Sequence, residues 1–308
     1  MKRDLLSLHD LSSDEIHYII DLALKLKNSN SKTTDHLKNK AVGLLFQKPS
    51  NRTRVSFEIA IWQLGGKCLY LAPQEINLGK RESVSDVAKT LSRYLDCIVA
   101  RTFSHADVVE LAENASAIII NGLSDLFHPC QALADILTVK EKFGNKKKAL
   151  ISYIGDGNNV CNSLILACAR VGYDLNIATP KHYAPNQGVL DIAHDIAKKT
   201  KSTISIFNNP REAVSNADVI YSDVWVSMGQ EEEDKKRKKD FKRFQINANL
   251  VKYAQPNYIF MHCLPAHRGM EVSADVIDGP NSVVFDQAEN RMHVQKAILT
   301  FLLASPSA

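Results

Sequence analysis

Ala41-Val42-Gly43-Leu44-Leu45-Phe46 runs through Gln47 into Lys48-Pro49-Ser50-Asn51-Arg52-Thr53-Arg54, and then into a helical stretch carrying Val55, Phe57, Ile59 and Trp62. A short β-rich run, a polar turn and a helix in immediate succession form half of a βαβ unit. The turn is the informative part. A helix N-terminus presents unpaired N–H groups and a partial positive charge, and here hydroxyl and guanidinium groups surround it, a combination suited to phosphate. The plainer alternative is an ordinary Ser50 cap with surface arginines.

The same alternation continues outward. β-rich runs are read at 67–71, 97–101, 117–120, 149–154, 174–178, 219–222, 258–262 and 283–286, with longer helical patterns between them. That order predicts an α/β fold of two doubly wound parallel-sheet domains. Ser12 with Glu15 three residues later, followed by Ile16, Ile19, Ile20 and Ala23, predicts a capped amphipathic helix near the start. Gln131 to Phe143 reads as a long helix and Gly144 to Lys148 as the polar turn after it, which divides the domains near residue 140, into 1–140 and 141–288. The final helical pattern, from Glu289 to Leu303 within 289–308, is expected to fold back on the first domain.

Composition excludes several classes. The 308 residues are 45% apolar and 23% charged, with 13 Gly and 10 Pro, which is globular rather than disordered or fibrous. No run approaches the roughly 18 apolar residues of a membrane span, and Met1-Lys2-Arg3-Asp4 leads into an amphipathic pattern, so the expectation is a cytoplasmic protein without a membrane partner. Cys68, Cys97, Cys130, Cys161, Cys168 and Cys263 form no CxxC pair, which predicts free thiols and neither a disulfide framework nor a zinc site. Thirty-eight Lys and Arg against 34 Asp and Glu leave +4, too little to demand nucleic acid. Glu231 to Arg243, acidic then basic, is expected to be a solvated, mobile loop; a nucleic-acid patch is the sharper alternative.

In open parallel sheets, ligands bind outside the carboxyl ends of the strands. Arg101 closes the apolar run that begins at Cys97, and His128-Pro129-Cys130-Gln131 places a histidine at a helix start. Gly155-Asp156-Gly157-Asn158-Asn159 resembles the opening of a dinucleotide fingerprint but has Val160 in place of the third glycine; Asp174, about 20 residues on, keeps a nicotinamide dehydrogenase as the competing enzyme. Asp223 with Ser227-Met228-Gly229, His262-Cys263-Leu264-Pro265 and Glu289-Asn290-Arg291 complete the set. A Cys263 nucleophile is disfavoured, because neighbours on an extended strand point to opposite sides. Arg52, Arg101, His128 and Arg291 against Asp223 favour an anionic, phosphate-bearing substrate.

Ser50-Asn51-Arg52-Thr53-Arg54, His128-Pro129-Cys130-Gln131, Asp223-x-x-x-Ser227-Met228-Gly229, His262-Cys263-Leu264-Pro265 and Glu289-Asn290-Arg291, five motifs in order over almost the whole chain, resemble the ornithine carbamoyltransferase family. The first two are shared with aspartate carbamoyltransferases; the Ser-Met-Gly and His-Cys-Leu-Pro segments resemble the ornithine branch. The resemblance implies a carbamoyl-phosphate domain, then an ornithine domain, with the active site in the cleft between them. It also implies a homotrimer, or a multiple of trimers, with sites at subunit interfaces, and no cofactor or metal. Ser50, Asn51, Arg52 and Thr53 would hold the phosphate with Arg101, while His128 and Gln131 reach the carbamoyl group and Arg291 binds carbamoyl phosphate. Asn159, Asp223, Ser227 and Met228 would hold ornithine; Cys263 and Leu264 would lie near its δ-amine and the carbamoyl nitrogen. Arg101, His128 and Cys263 would be the catalytic set.

Two departures stand out. Asn51 occupies a position where the family typically has Thr, and Asn77 one where it has Gln or His, a position the resemblance implies reaches the neighbouring subunit's phosphate. The implied reaction is attack of ornithine's neutral δ-amine on carbamoyl phosphate, giving citrulline and phosphate in an arginine-synthesis step, with the Ser227-Met228-Gly229 loop closing over the substrate. Putrescine is the alternative acceptor within the same chemistry.

Overall fold

A computed structural model of the chain describes residues 2–144, 148–226 and 233–304. It divides into two compact units, residues 1–137 with 289–308 and residues 138–288. Each is built on a parallel sheet. The first holds β1 (Ala41–Phe46), β2 (Lys67–Leu71), β3 (Cys97–Arg101) and β4 (Ile118–Leu123) in the order β2-β1-β3-β4. The second holds β5 (Leu150–Ile154), β6 (Asp174–Ala178), β7 (Ile204–Phe207), β8 (Val219–Ser222) and β9 (Ile259–His262) in the order β7-β6-β5-β8-β9.

The strand order follows from burial. β3 is buried along its whole length and β1 everywhere beyond Ala41, which suits central parallel strands covered on both faces. β2 and β7 are edges, and Leu69 and Ile206 there are 47% and 43% exposed. Both orders reverse direction at one point, between β1 and β3 in the first sheet and between β5 and β8 in the second. At such a point neighbouring connections leave towards opposite faces and a crevice opens beyond the carboxyl ends.

Caps start the helices. Ser12 accepts the Glu15 N–H while Glu15 accepts that of Ser12, and the helix Ser13–Lys27 buries Ile16, Ile19, Ile20, Ala23 and Leu26. The last helix, Val284–Leu303, packs within the first unit from Glu289 onward: Lys27 donates to Asn290 at 2.8 Å, Lys296 donates to Gln63 at 3.0 Å, and the Tyr18 and Phe301 rings lie 5.9 Å apart. Among the described residues no helix is long and apolar enough to cross a membrane.

Three expectations need correction. Residues 283–286 are not a strand: Val283 donates to Phe260 at 3.0 Å, but the helix begins at Val284, and Gln287 N–H already bonds the Val283 carbonyl at 2.9 Å. Two adjacent valines mimic a strand where the helical period of the following residues extends back to include them. Conversely, the sequence reading does not include β7, since a four-residue edge strand with one buried residue gives little signal. The run 231–243 is not a loop where it is described: Asp234–Phe241 is a helix with Arg237 and Phe241 buried.

Candidate active site

The crevice in the first sheet is lined by cations. Ser50 caps the helix Asn51–Gln63 and accepts the Thr53 N–H at 3.3 Å. Thr53 is buried, and its hydroxyl accepts from Arg291 at 2.8 Å, so the last helix is tied to the phosphate-type turn after β1. Arg101 ends β3 beside that turn, 5% exposed, with its Nε buried and without a hydrogen-bond partner. His128 is buried immediately before the helix Pro129–Phe143, and the Gln131 N–H bonds the His128 carbonyl at 3.1 Å.

The electrostatics of this cluster are one-sided. Burial, then Arg291 and Arg52, pull the Arg101 guanidinium down to about 10, so it is still protonated at neutral pH. Burial, then Arg291, Arg101 and Arg52, push His128 well below the ordinary imidazole range, so it is a neutral ring. Three guanidinium groups thus act on a neutral imidazole, and Arg291 and Arg52 disfavour positive charge on both Arg101 and His128. Such a cluster is stabilised by an incoming anion, and the neutral imidazole retains one N–H to donate.

In the second unit, the carboxyl ends of β5, β8 and β9 converge on Asp223. Asn158 caps the helix Asn159–Val171 and also donates to Asp223 at 2.7 Å, while the Cys263 thiol donates to the other oxygen at 3.0 Å. Asp223 is 6% exposed. Asn159, next to the cap, is half-buried. His262 Nδ1 accepts the Leu264 N–H at 2.9 Å, which leaves the ring proton on Nε2, 3.3 Å from Glu271. Leu264 has φ 58°, a left-handed conformation strained for a branched side chain and held here by that histidine bond.

That turn corrects one expectation. Chain curvature beyond β9 brings the His262 ring and the Cys263 thiol onto the same side, and with Asp223 their ligand-type atoms lie within 4.8 Å of one another. These donor types suit zinc, which the cysteine spacing did not foretell. The thiol's bond to Asp223 and the ring's bond from Leu264 nevertheless engage the two groups separately, rather than as a Cys-His pair. The six cysteines are free thiols.

Not every expected residue joins these clusters. Asn51 is exposed in the first turn of its helix. Asn77 is exposed at φ 45°, and its side chain bonds within its own turn, to the Gln74 carbonyl at 3.5 Å. Ser227, Met228 and Gly229 lie outside the described residues. The dinucleotide alternative loses its support: a Cβ on Gly157 would lie 2.3 Å from Pro185 N, so the glycine accommodates the 184–185 backbone instead of a pyrophosphate.

Residues that the sequence did not single out brace the second unit. Arg237, 6% exposed, donates to Asp156 at 2.7 Å, to Glu233 at 2.9 Å and to the Trp225 carbonyl at 3.1 Å, and lies 4.8 Å from the Tyr183 ring. Breaking such a pair leaves a buried, unpaired carboxylate. Arg237→Ala is therefore expected to cost about 3–5 kcal/mol in denaturant unfolding. A change within about 0.5 kcal/mol, as at an ordinary surface site, would mean that Asp156 does not depend on Arg237.

Residues 3–141 match the family described as aspartate/ornithine carbamoyltransferase, carbamoyl-P binding domain, and residues 147–302 match its Asp/Orn binding domain. The chain belongs to the aspartate/ornithine carbamoyltransferase family. An ornithine carbamoyltransferase of Pyrococcus abyssi is 51% identical over 303 residues, covering 98% of this chain and 96% of that protein. A catabolic ornithine carbamoyltransferase of Thermoplasma acidophilum is 50% identical, covering 98% of this chain and 99% of that one. Among solved structures of the family, the ornithine carbamoyltransferase of Pyrococcus furiosus superposes with a TM-score of 0.95 at 50% identity, over 99% of this chain and 98% of that one. The competing dehydrogenase and nucleic-acid assignments have no counterpart in these matches.

Proposed function

We propose that the chain transfers the carbamoyl group from carbamoyl phosphate to the δ-amino group of L-ornithine, giving L-citrulline and phosphate. The observation that carries this is the crowding of Arg52, Arg101 and Arg291 around a neutral His128 at the switch point of the first sheet. Ser50, Asn51, Arg52, Thr53 and Arg101 hold the phosphate, with Arg291 behind Thr53, and His128 and Gln131 address the carbamoyl group. Asn159 and Asp223, with Ser227 and Met228, hold ornithine, and Cys263 and Leu264 face the reacting nitrogen atoms.

The neutral δ-amine attacks the carbonyl carbon, forming the C–N bond and a tetrahedral oxyanion. The ammonium then passes its proton to the departing phosphate oxygen, the oxyanion collapses back to a carbonyl as the bond from its carbon to that bridging oxygen breaks, and phosphate departs with the electron pair. His128 donates its single N–H to the developing oxyanion, and the guanidinium groups stabilise the leaving phosphate; such charge stabilisation is commonly the largest catalytic contribution. Holding both reactants together adds the proximity effect.

Two measurements check the acceptor. Purified protein offered ornithine, putrescine and aspartate in parallel is expected to form citrulline dominantly; dominant carbamoyl-putrescine or carbamoyl-aspartate would displace ornithine. A free alkyl amine has a pKa of about 10.4, so its neutral fraction grows about tenfold per pH unit below that value. With subsaturating ornithine the rate is thus expected to climb between pH 6 and 9, and a flat profile would contradict attack by the neutral amine.

Cytoplasmic biosynthesis of arginine and assembly as a trimer, or a multiple of trimers, with Asn77 approaching a neighbour's phosphate, belong to the same proposal. Supporting assembly, Val55, Ile59 and Trp62 form an apolar stripe at helical spacing, exposed by 50%, 39% and 64%. Light scattering is expected to give a mass that is a multiple of three chains, falling for Trp62→Glu. A wild-type monomer would contradict it.

A further inference from the structure

Gln131 is 1% exposed, and its two amide ends are in different situations. Nε2 donates to Asp135 Oδ1 at 2.9 Å, one helical turn along Pro129–Phe143, whereas Oε1 is buried without a hydrogen-bond partner. An amide side chain can present either end to a ligand, and its neighbours decide which. A carboxylate accepts and does not donate, so Asp135, itself fully buried, commits the NH2 end of Gln131 to itself and leaves the carbonyl oxygen as the unpaired end of the amide. Gln131 sits in the first turn after His128, its backbone N–H bonding the His128 carbonyl at 3.1 Å, and so belongs to the cation-lined site of the first unit.

We propose that Asp135 is a positioning residue which fixes the amide of Gln131 and thereby makes the site select a carbamoyl over an acetyl group on the phosphate donor. The inference rests on the assignment of this site to carbamoyl phosphate. Carbamoyl and acetyl phosphate share the carbonyl and phosphate and differ in NH2 against CH3. A fixed, buried acceptor is satisfied by the NH2 and left unpaired by the methyl, and a site built around a hydrogen bond discriminates strongly against the analogue that cannot make it. Were the amide free to turn, the same residue would offer an NH2 group to the ligand's NH2, and the preference would fade.

The test compares binding of fresh carbamoyl phosphate, acetyl phosphate and inorganic phosphate to the intact protein, by competition or thermal shift, with no acceptor present. Wild type is expected to prefer carbamoyl over acetyl phosphate by about tenfold or more. In Asp135→Asn, whose amide can donate to Gln131 Oε1 and turn it, that preference collapses while affinity for inorganic phosphate, which lacks the carbamoyl nitrogen, stays within about twofold of wild type. In Gln131→Glu/Asp135→Asn the acid and the amide exchange places, an acceptor is again the unpaired end, and the preference returns. This double variant carries the test if Asp135→Asn fails to fold: retained selectivity supports the positioning role, and lost selectivity opposes it. An unchanged preference in Asp135→Asn, or a parallel loss of phosphate affinity as a structural role would give, overturns the inference and leaves the assigned reaction standing. A wild type that binds neither donor overturns both.

Discussion

Arg101→Leu is expected to lower kcat/KM for carbamoyl phosphate about a thousandfold, the effect of deleting a buried group that stabilises charge developing in the reaction. The fold should survive and even gain. Burial first, and then the like charges of Arg291 and Arg52, pull the Arg101 guanidinium down to about 10. The folded state therefore binds that proton less tightly than the unfolded chain, so the charge costs stability at every pH below about 10, and the cost fades only above that. Removing it should leave Tm equal to or above that of wild type, while the stabilisation that wild type gains from added phosphate is lost. Unchanged kinetics in a folded variant would remove Arg101 from the site. Reduced activity together with a large drop in Tm would make its role structural.

Asp223→Asn is the second large effect, and it should fall on the other substrate. The carboxylate joins the ends of three strands, accepting from Asn158 at 2.7 Å, Cys263 at 3.0 Å and Val224 N–H at 2.8 Å. Neutralising it removes the negative charge that a substrate ammonium would meet, and sets the new amide NH2 against at least one existing donor. Hydrogen bonds to charged groups contribute about 1.5–3 kcal/mol, so kcat/KM for ornithine is expected to fall about a hundredfold. Binding of carbamoyl phosphate, measured without ornithine, should change little. Equal losses for both substrates would mean that Asp223 supports the whole site rather than the acceptor.

The positions of these residues were legible because two strong regularities coincide. Apolar runs such as 97–100 read as buried strands, and charged or polar residues at the ends of such runs, Arg101 and Asp223 among them, must emerge at the rim where ligands bind. What escaped depends on contacts between distant residues. The helix Asp234–Phe241 is almost entirely charged, so no apolar period announces it, and Arg237 differs from its lysine neighbours only in meeting Asp156, 81 residues away. The approach of His262 to Cys263 is not readable from adjacent residues at a strand end, and neither is the left-handed Leu264 that follows them. Asn158 was readable as a helix cap after a strand, but its second bond, to Asp223, was not. Gln131 and Asp135, at a helical i, i+4 spacing, could have been paired from sequence alone. Only the burial of both, with one amide end left unpaired, gives that pairing a function.

The most direct test of the central assignment is to supply purified protein with carbamoyl phosphate and L-ornithine and to quantify citrulline and phosphate together. The two products are expected in equal amounts, with phosphate release depending on ornithine. Phosphate released without citrulline, or no turnover by a folded protein that binds carbamoyl phosphate, would contradict transfer to ornithine.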